Sequence, residues 1–186
     1  MQPRRWICMP APLDEVEVPS RCAKVDSSAV VGLICRPMEE CDVVRVHRIH
    51  TDCLQRSLTE HYTTIQIKTW LNGRTPQGYW HSMLSGEEYF VGEHEGICVA
   101  FASWRGDELR SLFVCPEKQR SGIGSLLLKH SRRLTETKYV KATLNAVGFY
   151  SRFRFQLVST GFVEKRGVRI PYVQMQRALE LVFASD

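Results

Sequence analysis

The first half of the chain is dominated by a helical spacing of apolar residues. One short, β-branched apolar run ends before Pro37 and predicts a strand. From Val43 to Leu58 the apolar positions recur every three or four residues, as they do on one face of a helix. The predicted elements are a strand at 29–36, a helix ending near Leu58, and shorter helices at 65–71 and 76–84.

In the second half, apolar residues recur at every second position, as in strands, and two segments return to the helical spacing of three or four. The short connections between the first three runs predict hairpins, which make antiparallel pairs, whereas the later strand–helix–strand unit predicts a parallel pair. The order predicts an α/β (α+β) protein with a single central mixed, mostly antiparallel sheet flanked by helices. The predicted elements are strands at 88–92, 97–104 and 108–114, a helix from Ile123 to Leu134, a strand at 138–144, a helix at 146–153, and strands at 155–163 and 170–176.

Composition narrows the class of protein. Of the 186 residues, 44% are hydrophobic and 24% charged, enough apolar material for a folded domain. Residues 1–28 contain four prolines and no sustained periodicity, so we expect an N-terminal extension, an arm or loosely ordered segment, ahead of a domain at 29–186. No apolar stretch approaches the roughly 20 residues of a membrane span, so no membrane association is expected.

Charge and cysteine usage restrict the partners. The net charge of +5 suits an anionic ligand, but the chain has no block of like charges, and no nucleic-acid partner is expected. The seven cysteines are an odd number without a C-x-x-C pair, and the N-terminus lacks a signal-peptide pattern. These features favour a reducing, cytoplasmic location. An N-terminal arm without a partner in its own domain is compatible with a homodimer.

A cluster of metal-binding residue types occurs on the first predicted helix. His47, His50 and Cys53 stand three residues apart, with Cys41 nearby. Their positions drift around the helix and no paired ligand motif accompanies them, so core and surface roles are favoured and no metal is expected. Cys115 follows a strand and precedes a helix, and a structural role is favoured for it over a covalent acyl-cysteine route.

The segment with the clearest chemistry is the loop between the strand ending at Val114 and the helix beginning at Ile123. Pro116 ends the strand, and Gly122 and Gly124 let the backbone approach a ligand closely. Several backbone N–H groups are therefore expected at a helix N-terminus, the geometry that binds phosphate. The loop lacks the G-K-S/T of a Walker A motif and the third glycine of a Rossmann fingerprint. On these residues alone, a tight turn without a ligand is the alternative.

Two blocks of sequence resemble one family. The run Val114–Leu128, with Gln119-Arg120-Ser121-Gly122-Ile123-Gly124 at its centre, resembles the pyrophosphate-binding motif of the GNAT N-acetyltransferase superfamily, Q/R-x-x-G-x-G/A. Leu144–Tyr150 resembles the family's downstream N-A-x-x-F-Y element, and the likeness spans about residues 33–179. It implies the GNAT acyl-CoA N-acyltransferase fold. It also implies an N-acetyltransferase that moves an acetyl group from acetyl-CoA to a primary amine by direct attack in a ternary complex.

The resemblance further implies where the co-substrate binds. Acetyl-CoA would lie between the strand ending at Val114 and the strand ending at Leu144, with no metal. Backbone groups of the first strand would bind the pantetheine and polarise the thioester carbonyl, and amides of the loop would hold the pyrophosphate. The implied cofactor-binding residues are Leu112, Phe113, Val114, Gln119, Arg120, Ser121, Gly122, Ile123, Gly124, Ser125, Asn145 and Phe149.

Two catalytic residues are implied in the same way. Glu108 matches the position of a general base in many family members and would act through a water, but it equally fits a solvated turn residue next to Asp107. Tyr150 matches the tyrosine that protonates the leaving CoA thiolate, with an aromatic packed beside Phe149 as the alternative. Arg154 stands where relatives have a helix-ending glycine, and a left-handed conformation there would cost about 1 kcal/mol.

The sequence does not name the acceptor amine, although a small molecule is favoured over a protein. A catalytically inactive acyl-CoA-binding regulatory or scaffold module is the alternative function. A group of aromatic side chains lies in the region that forms the acceptor wall in the family, and it would suit an organic cation or an aromatic amine. Core packing is the alternative, and it is favoured for Trp70 and Trp80. The members of the group are Tyr62, Trp70, Tyr79, Trp80 and His81.

Overall fold

A computed structural model describes residues 32–130 and 136–178, and within them seven strands form one mixed sheet. The strand order is β1-β2-β3-β4-β5-β7-β6. Of these neighbouring pairs, β4–β5 is parallel and the others are antiparallel. The strands are β1 (Leu33–Pro37), β2 (Glu88–His94), β3 (Ile97–Arg105), β4 (Glu108–Val114), β5 (Tyr139–Ala142), β6 (Phe155–Lys165) and β7 (Val168–Arg177).

Two of the helices begin after a threonine whose side chain caps the first turn. The hydroxyl of Thr63 accepts a hydrogen bond from the Gln66 amide, and that of Thr75 accepts one from the Gly78 amide ahead of α2 and α3 respectively. None of the helices in the described part of the chain is long and apolar enough to cross a membrane. The α-helices are α1 (Val43–Ser57), α2 (Thr64–Leu71), α3 (Pro76–Leu84), α4 (Ile123–His130) and α5 (Val147–Ser151).

Helices α1 and α4 cover opposite faces of the sheet. The ring of Phe113 on β4 lies 4.3 Å from the imidazole of His50 on α1. The next residue, Val114, faces α4, where a Cβ built on Gly124 would lie 3.5 Å from its side chain. Successive side chains of a strand point to opposite faces, so the two contacts define two layers of helix with the sheet between them.

The predicted fold class is confirmed, and the boundaries of the predicted elements shift by a few residues. The predicted strand at 138–144 ends at Ala142, because Leu144–Ala146 forms a 3-10 turn before α5. The two closing strands are longer than predicted and extend to a tight hairpin. The predicted arm at 1–28, the first residues of the predicted strand at 29–36, and the predicted helix end at Leu134 lie outside the described residues.

The turn after α5 has the backbone shape that glycine usually makes. Arg154 has a φ of 65°, in the left-handed region, and its amide donates to the carbonyl of Ser151. The carbonyl of Arg154 accepts from the amide of Ala178 at 2.9 Å, which ties the turn to the end of β7. These bonds hold the arginine in a conformation that a non-glycine residue adopts at a cost.

Candidate active site

The site begins where two parallel strands separate. Strands β4 and β5 pair only at Glu108–Tyr139 and Leu109–Val140. Farther along, β4 stays paired with β3 up to Val114, whereas β5 stays paired with β7. The inner edges of the two strands therefore diverge, and a cleft of about 450 Å³ lies at the opening.

The cleft brings together most of the residues predicted to bind the cofactor. They come from β4, from the loop and first turn of α4, and from the segment after β5. The predicted residues that line the cleft are Leu112, Phe113, Val114, Gln119, Arg120, Gly122, Gly124, Ser125, Asn145, Phe149 and Tyr150.

The loop between β4 and α4 turns sharply and leads directly into the helix. Arg120 has a φ of 62° and Gly122 a φ of 90°, so the chain turns sharply before the helix. The amide of Leu126 donates to the carbonyl of Gly122, so the helix itself supplies no acceptor to the amides of its first three residues. Such amides, at the positive end of the helix dipole, bind anions.

Two of the loop residues predicted to bind the cofactor have side chains that point away from the cleft or bond within the loop. The side chain of Ile123 is buried in the core, where it anchors the start of α4. The hydroxyl of Ser121 donates to the carbonyl of Lys118 at 2.5 Å, which closes the loop on itself. Neither residue lines the cleft, so any contact of theirs with a ligand there would come from the backbone.

The side chain of Gln119 joins the loop to β4 and to α1. Its amide nitrogen donates to the carbonyl of Val114 and to the hydroxyl of Ser57, each at 3.0 Å. The thiol of Cys53 donates to the same Val114 carbonyl at 3.0 Å. Burial raises the pKa of Cys53 to about 12, so its thiol stays neutral and serves as a donor.

Tyr150 lies at the inner part of the cleft, on α5. Its side chain is 5% exposed and its ring packs against Phe149 and Phe155. Burial raises the pKa of Tyr150, so the phenol is protonated at neutral pH and can donate a proton. Nearby, the hydroxyl of Thr143 donates to the side-chain oxygen of Asn145 at 2.7 Å.

Glu108 lies outside the cleft, at the point where β4 and β5 are still paired. Its carboxylate oxygens lie 3.0 Å from Arg110 Nη1 and 3.4 Å from Lys141 Nζ. The side chain is 25% exposed. The structure therefore places Glu108 in an ion-paired cluster beside the strand opening rather than against the cleft wall.

Several cleft residues were not predicted from the sequence. Lys118 and Arg152 add two cations to Arg120, and the guanidinium of Arg152 lies 5.7 Å from the centre of the Phe149 ring. Lys118 lies in the loop between β4 and α4, and Arg152 follows the Leu144–Tyr150 motif, so the neighbouring sequence could have indicated both residues. The end of α1 contributes Cys53, Ser57 and Leu58 to the cleft. No motif near these residues in the sequence predicts that they reach it.

The aromatic residues predicted for an acceptor wall do not line this cleft. The hydroxyl of Tyr62 donates to the Pro171 carbonyl and accepts from the Leu144 amide, so it braces the segment after β5. Tyr79 is hydrogen-bonded to His50 at 2.8 Å inside the core. Trp70 and Trp80 are half-buried against the two apolar clusters, as core packing predicts, and His81 is exposed.

The histidines and cysteines of α1 have no metal-binding arrangement in the described residues, where no group of three or more His, Cys, Asp or Glu side chains is placed to hold a metal ion. His50 bonds to Tyr79 and Cys53 to a backbone carbonyl. Burial raises the pKa of Cys115, so its thiol is poorly suited to act as a nucleophile.

Comparisons with known proteins show the family of the chain. A family model, the acetyltransferase (GNAT) domain, matches residues 58–179. The N-acetyltransferase YafP of Escherichia coli K12 is 31% identical over 109 residues, which cover 59% of this chain and 71% of that protein. A GCN5-related N-acetyltransferase from Rhodopseudomonas palustris superposes with a TM-score of 0.71 at 21% identity, covering 78% of this chain and 95% of that one. YncA of Salmonella typhimurium, solved with its cofactor acetyl-CoA, has a TM-score of 0.55 at 22% identity, covering 83% and 98% of the two chains.

The seven-stranded mixed sheet with helices on its faces has the acyl-CoA N-acyltransferase fold. The chain belongs to the GNAT acetyltransferase family, because the family model matches more than half of it, including β4, the loop and α5. This membership confirms the predicted family, the predicted N-acetyltransferase class and its dependence on acetyl-CoA.

Proposed function

We propose that the cleft between β4 and β5 binds acetyl-CoA and that the chain transfers the acetyl group directly to a primary amine. The divergence of the two strands after Leu109–Val140 is the observation that carries the proposal. It leaves the inner backbone edge of β4 without a strand partner on that side, next to a cleft large enough for an extended ligand. A pantetheine arm has amide groups that can pair with such an edge as a strand would.

The outer part of the cleft fits a diphosphate. The amides of Gly122, Ile123 and Gly124 stand at the start of α4, where the helix provides them no acceptor. Lys118, Arg120 and Arg152 line the same part of the cleft and supply positive charge. The donor set therefore matches the most negatively charged part of CoA.

The inner part of the cleft fits the thioester. Acetyl-CoA supplies an activated acyl group, and the chain's residues orient it and manage charge and protons. Backbone groups at Leu112–Val114 would hold the thioester carbonyl and stabilise the negative charge that develops on its oxygen. Tyr150, protonated and buried beside them, would give its proton to the departing sulfur.

The acceptor must lose a proton for the reaction to balance. The amine nitrogen forms a bond to the acyl carbon, the carbon–sulfur bond breaks, and the sulfur leaves as CoA thiol. Glu108 is the carboxylate closest in sequence to the opening, and we propose that it accepts the amine proton through a water. Its carboxylate oxygens lie 3.0 Å from Arg110 Nη1 and 3.4 Å from Lys141 Nζ, which hold the side chain beside the strand opening.

We also propose a cytoplasmic location and a small-molecule acceptor. The described cysteines are free thiols, which fits a reducing cytoplasm. We propose a small amine rather than a protein as the acceptor, because the recess beside Leu112, Phe113 and Tyr150 has a volume of only about 50 Å³.

Two measurements test the proposal together. Calorimetric titration with CoA and acetyl-CoA should show binding, and a thiol-release assay with acetyl-CoA should show turnover with some members of an amine panel. Binding without turnover on any small amine, peptide or aminoacyl-tRNA acceptor would favour the inactive binding module instead. Absence of CoA binding would exclude both.

A further inference from the structure

The hydroxyl of Tyr62 joins the chain after β5 to β7. It accepts a hydrogen bond from the amide of Leu144 at 3.1 Å and donates one to the carbonyl of Pro171 at 3.0 Å. The side chain is 3% exposed, and burial raises the pKa of the phenol, so the hydroxyl stays protonated and remains a donor. Tyr62 therefore bridges the two chain segments just beyond the point where the paired part of β5 ends, at Ala142.

This bridge takes the place of a hydrogen bond that a longer β5 would make to β7. The amide of Arg177 donates to the carbonyl of Lys138 at 2.8 Å, in the register that relates β5 to β7. Hydrogen-bonded pairs recur at every second position of an antiparallel ladder, and the same register puts Leu144 opposite Pro171 in that series. A continued ladder would join the Leu144 amide directly to the Pro171 carbonyl, whereas Pro171 has no N–H with which to return a bond.

The bridge lies where the chain turns from β5 toward the cleft. Leu144 begins the 3-10 turn Leu144–Ala146, and its neighbours Thr143 and Asn145 both line the cleft. The hydroxyl of Thr143 donates to the side-chain oxygen of Asn145 at 2.7 Å, so these two side chains are held together. A shift of the Leu144 backbone would therefore move both of them.

Resting on the proposed function, we propose that Tyr62 is a positioning residue for acetyl-CoA. Its hydroxyl separates the Leu144 amide from the Pro171 carbonyl by two hydrogen bonds in series, where a ladder would have one. The segment after β5 is thereby kept off β7, and Thr143 and Asn145 are presented to the cofactor. Tyr62 does not itself line the cleft, so it acts through these residues and not by touching the ligand.

The ring of Tyr62 is fixed independently of its hydroxyl. It packs in an apolar cluster that includes Leu54, Leu58 and Ile170, and its centre lies 5.6 Å from that of the Trp70 ring, edge to face. The amide of Tyr62 also donates to the carbonyl of Leu58 at 2.9 Å. Removing the hydroxyl alone therefore leaves the ring in place and tests the bridge by itself.

Tyr62→Phe is the variant that removes the bridge. The Leu144 amide and the Pro171 carbonyl then lose their shared partner, and the segment between them is free to shift. We expect Kd for CoA, measured by calorimetry, and KM for acetyl-CoA each to rise about tenfold, with kcat falling less than about threefold, because the proton donor Tyr150 is untouched. The Tm should fall by about 3–6 °C.

Tyr79→Phe is the matched control. Tyr79 is 5% exposed, its hydroxyl is hydrogen-bonded to His50 at 2.8 Å, and it does not line the cleft. The same substitution there should lower Tm by a similar amount and leave Kd for CoA unchanged. An equal loss of CoA affinity in the two variants would overturn the positioning role, because affinity would then follow stability.

A double-mutant cycle assigns the effect to the segment after β5. Asn145→Ala should raise Kd for CoA about tenfold by itself but less than about twofold in the Tyr62→Phe background, because the bridge acts through Asn145. Gln119→Ala, in the loop between β4 and α4, should instead multiply with Tyr62→Phe. Effects of Tyr62→Phe and Asn145→Ala that simply multiply would contradict the proposal.

The outcomes separate this proposal from the broader one. Unchanged CoA affinity in Tyr62→Phe would overturn the positioning role and leave the acetyltransferase proposal standing, since the wild-type chain would still bind CoA and release thiol. Absence of CoA binding by the wild-type chain would overturn both.

Discussion

The side-chain amide of Gln119 donates a hydrogen bond to the carbonyl oxygen of Val114 across 3.0 Å. The bond joins the first residue after the 3-10 turn to the last residue of β4, and the same nitrogen donates to Ser57 on α1. Gln119 thus fixes the loop between β4 and α4 against the strand that is proposed to hold the thioester. The proposed cofactor site depends on this tie because both of its halves must be positioned before the ligand arrives.

Replacing Gln119 should weaken acetyl-CoA binding without affecting the fold. Gln119→Ala removes the hydrogen bonds to Val114 and Ser57 and the longer contact with Cys53 at an exposed position, and we expect Kd for acetyl-CoA to rise about fivefold to tenfold by calorimetry. Gln156→Ala, an exposed glutamine on β6, is the matched control. Equal affinities in both variants would show that the tie does not organise the loop.

We expect Gly122 to be required for CoA binding for two reasons: its backbone conformation and the absence of a side chain beside the loop amides. Gly122→Ala places a methyl group at a φ of 90°, beside amides that must approach the ligand, so we expect Kd for CoA to rise at least about tenfold. Gly106→Ala carries a similar backbone penalty at a φ of 60° in the β3–β4 turn, away from the cleft. It should lower the free energy of unfolding by about 1 kcal/mol and leave Kd unchanged. A loss of CoA affinity in Gly106→Ala would mean that Gly122 acts through stability alone.

Tyr150→Phe should lower kcat and leave acetyl-CoA binding intact. The substitution removes the proposed proton donor and keeps the packing against Phe149 and Phe155, so we expect kcat to fall about a hundredfold with little change in Kd. Tyr139→Phe, an exposed tyrosine at the start of β5, is the control. A Tyr150→Phe enzyme with normal kcat would leave the tyrosine with only its packing role.

The pH profile gives a second test of Tyr150. Because burial raises its pKa above the ordinary value of 10, the protonated, donating form persists above pH 10. The wild-type rate should therefore rise with pH as the amine deprotonates and should not fall near pH 10. A descending limb at or below pH 10 that disappears in Tyr150→Phe would contradict the raised pKa.

Asp42 should stabilise the fold in a pH-dependent way. Burial opposes its ionisation, but Arg36 at 2.7 Å and the amide of Glu39 at 2.8 Å hold the pKa of its carboxyl below the ordinary 3.8. The ionised carboxylate thus stabilises the fold above pH 3.8, and the stabilisation is lost as the pH falls through the folded-state pKa. Asp42→Asn should lower the free energy of unfolding by about 2 kcal/mol at pH 7 and by less below pH 3.8.

The control for Asp42 is an exposed ion pair. The side chain of Asp107 is 45% exposed and its carboxylate lies 3.4 Å from Lys138. Asp107→Asn should change the free energy of unfolding by less than about 0.5 kcal/mol across the same pH range. Chemical denaturation of both variants at several pH values measures the difference, and a pH-independent loss in Asp42→Asn would contradict the lowered pKa.

The local elements and the loop were predictable because their signals are local. Apolar spacing separates helix from strand within a few residues, and Thr75-Pro76 marks the start of α3. Gly122 predicted a sharp turn, and its φ of 90° is such a turn. The order of hairpins and the strand–helix–strand unit then restricts the sheet to one mixed arrangement, which is why the fold class was predicted correctly.

The sequence by itself thus determined the helices and strands, the glycine pattern of the loop between β4 and α4, and the family motifs. Tertiary structure decided what faces the cleft. Cys53 and Ser57 reach the site from more than 60 positions away in sequence, and Glu108 meets Lys141 across two strands. Of the aromatic residues considered for an acceptor wall, Tyr79 lies in the core and Tyr62 is hydrogen-bonded to the Pro171 carbonyl. Periodicity encodes which face of an element is apolar, but which distant element meets that face depends on packing and register across the whole sheet.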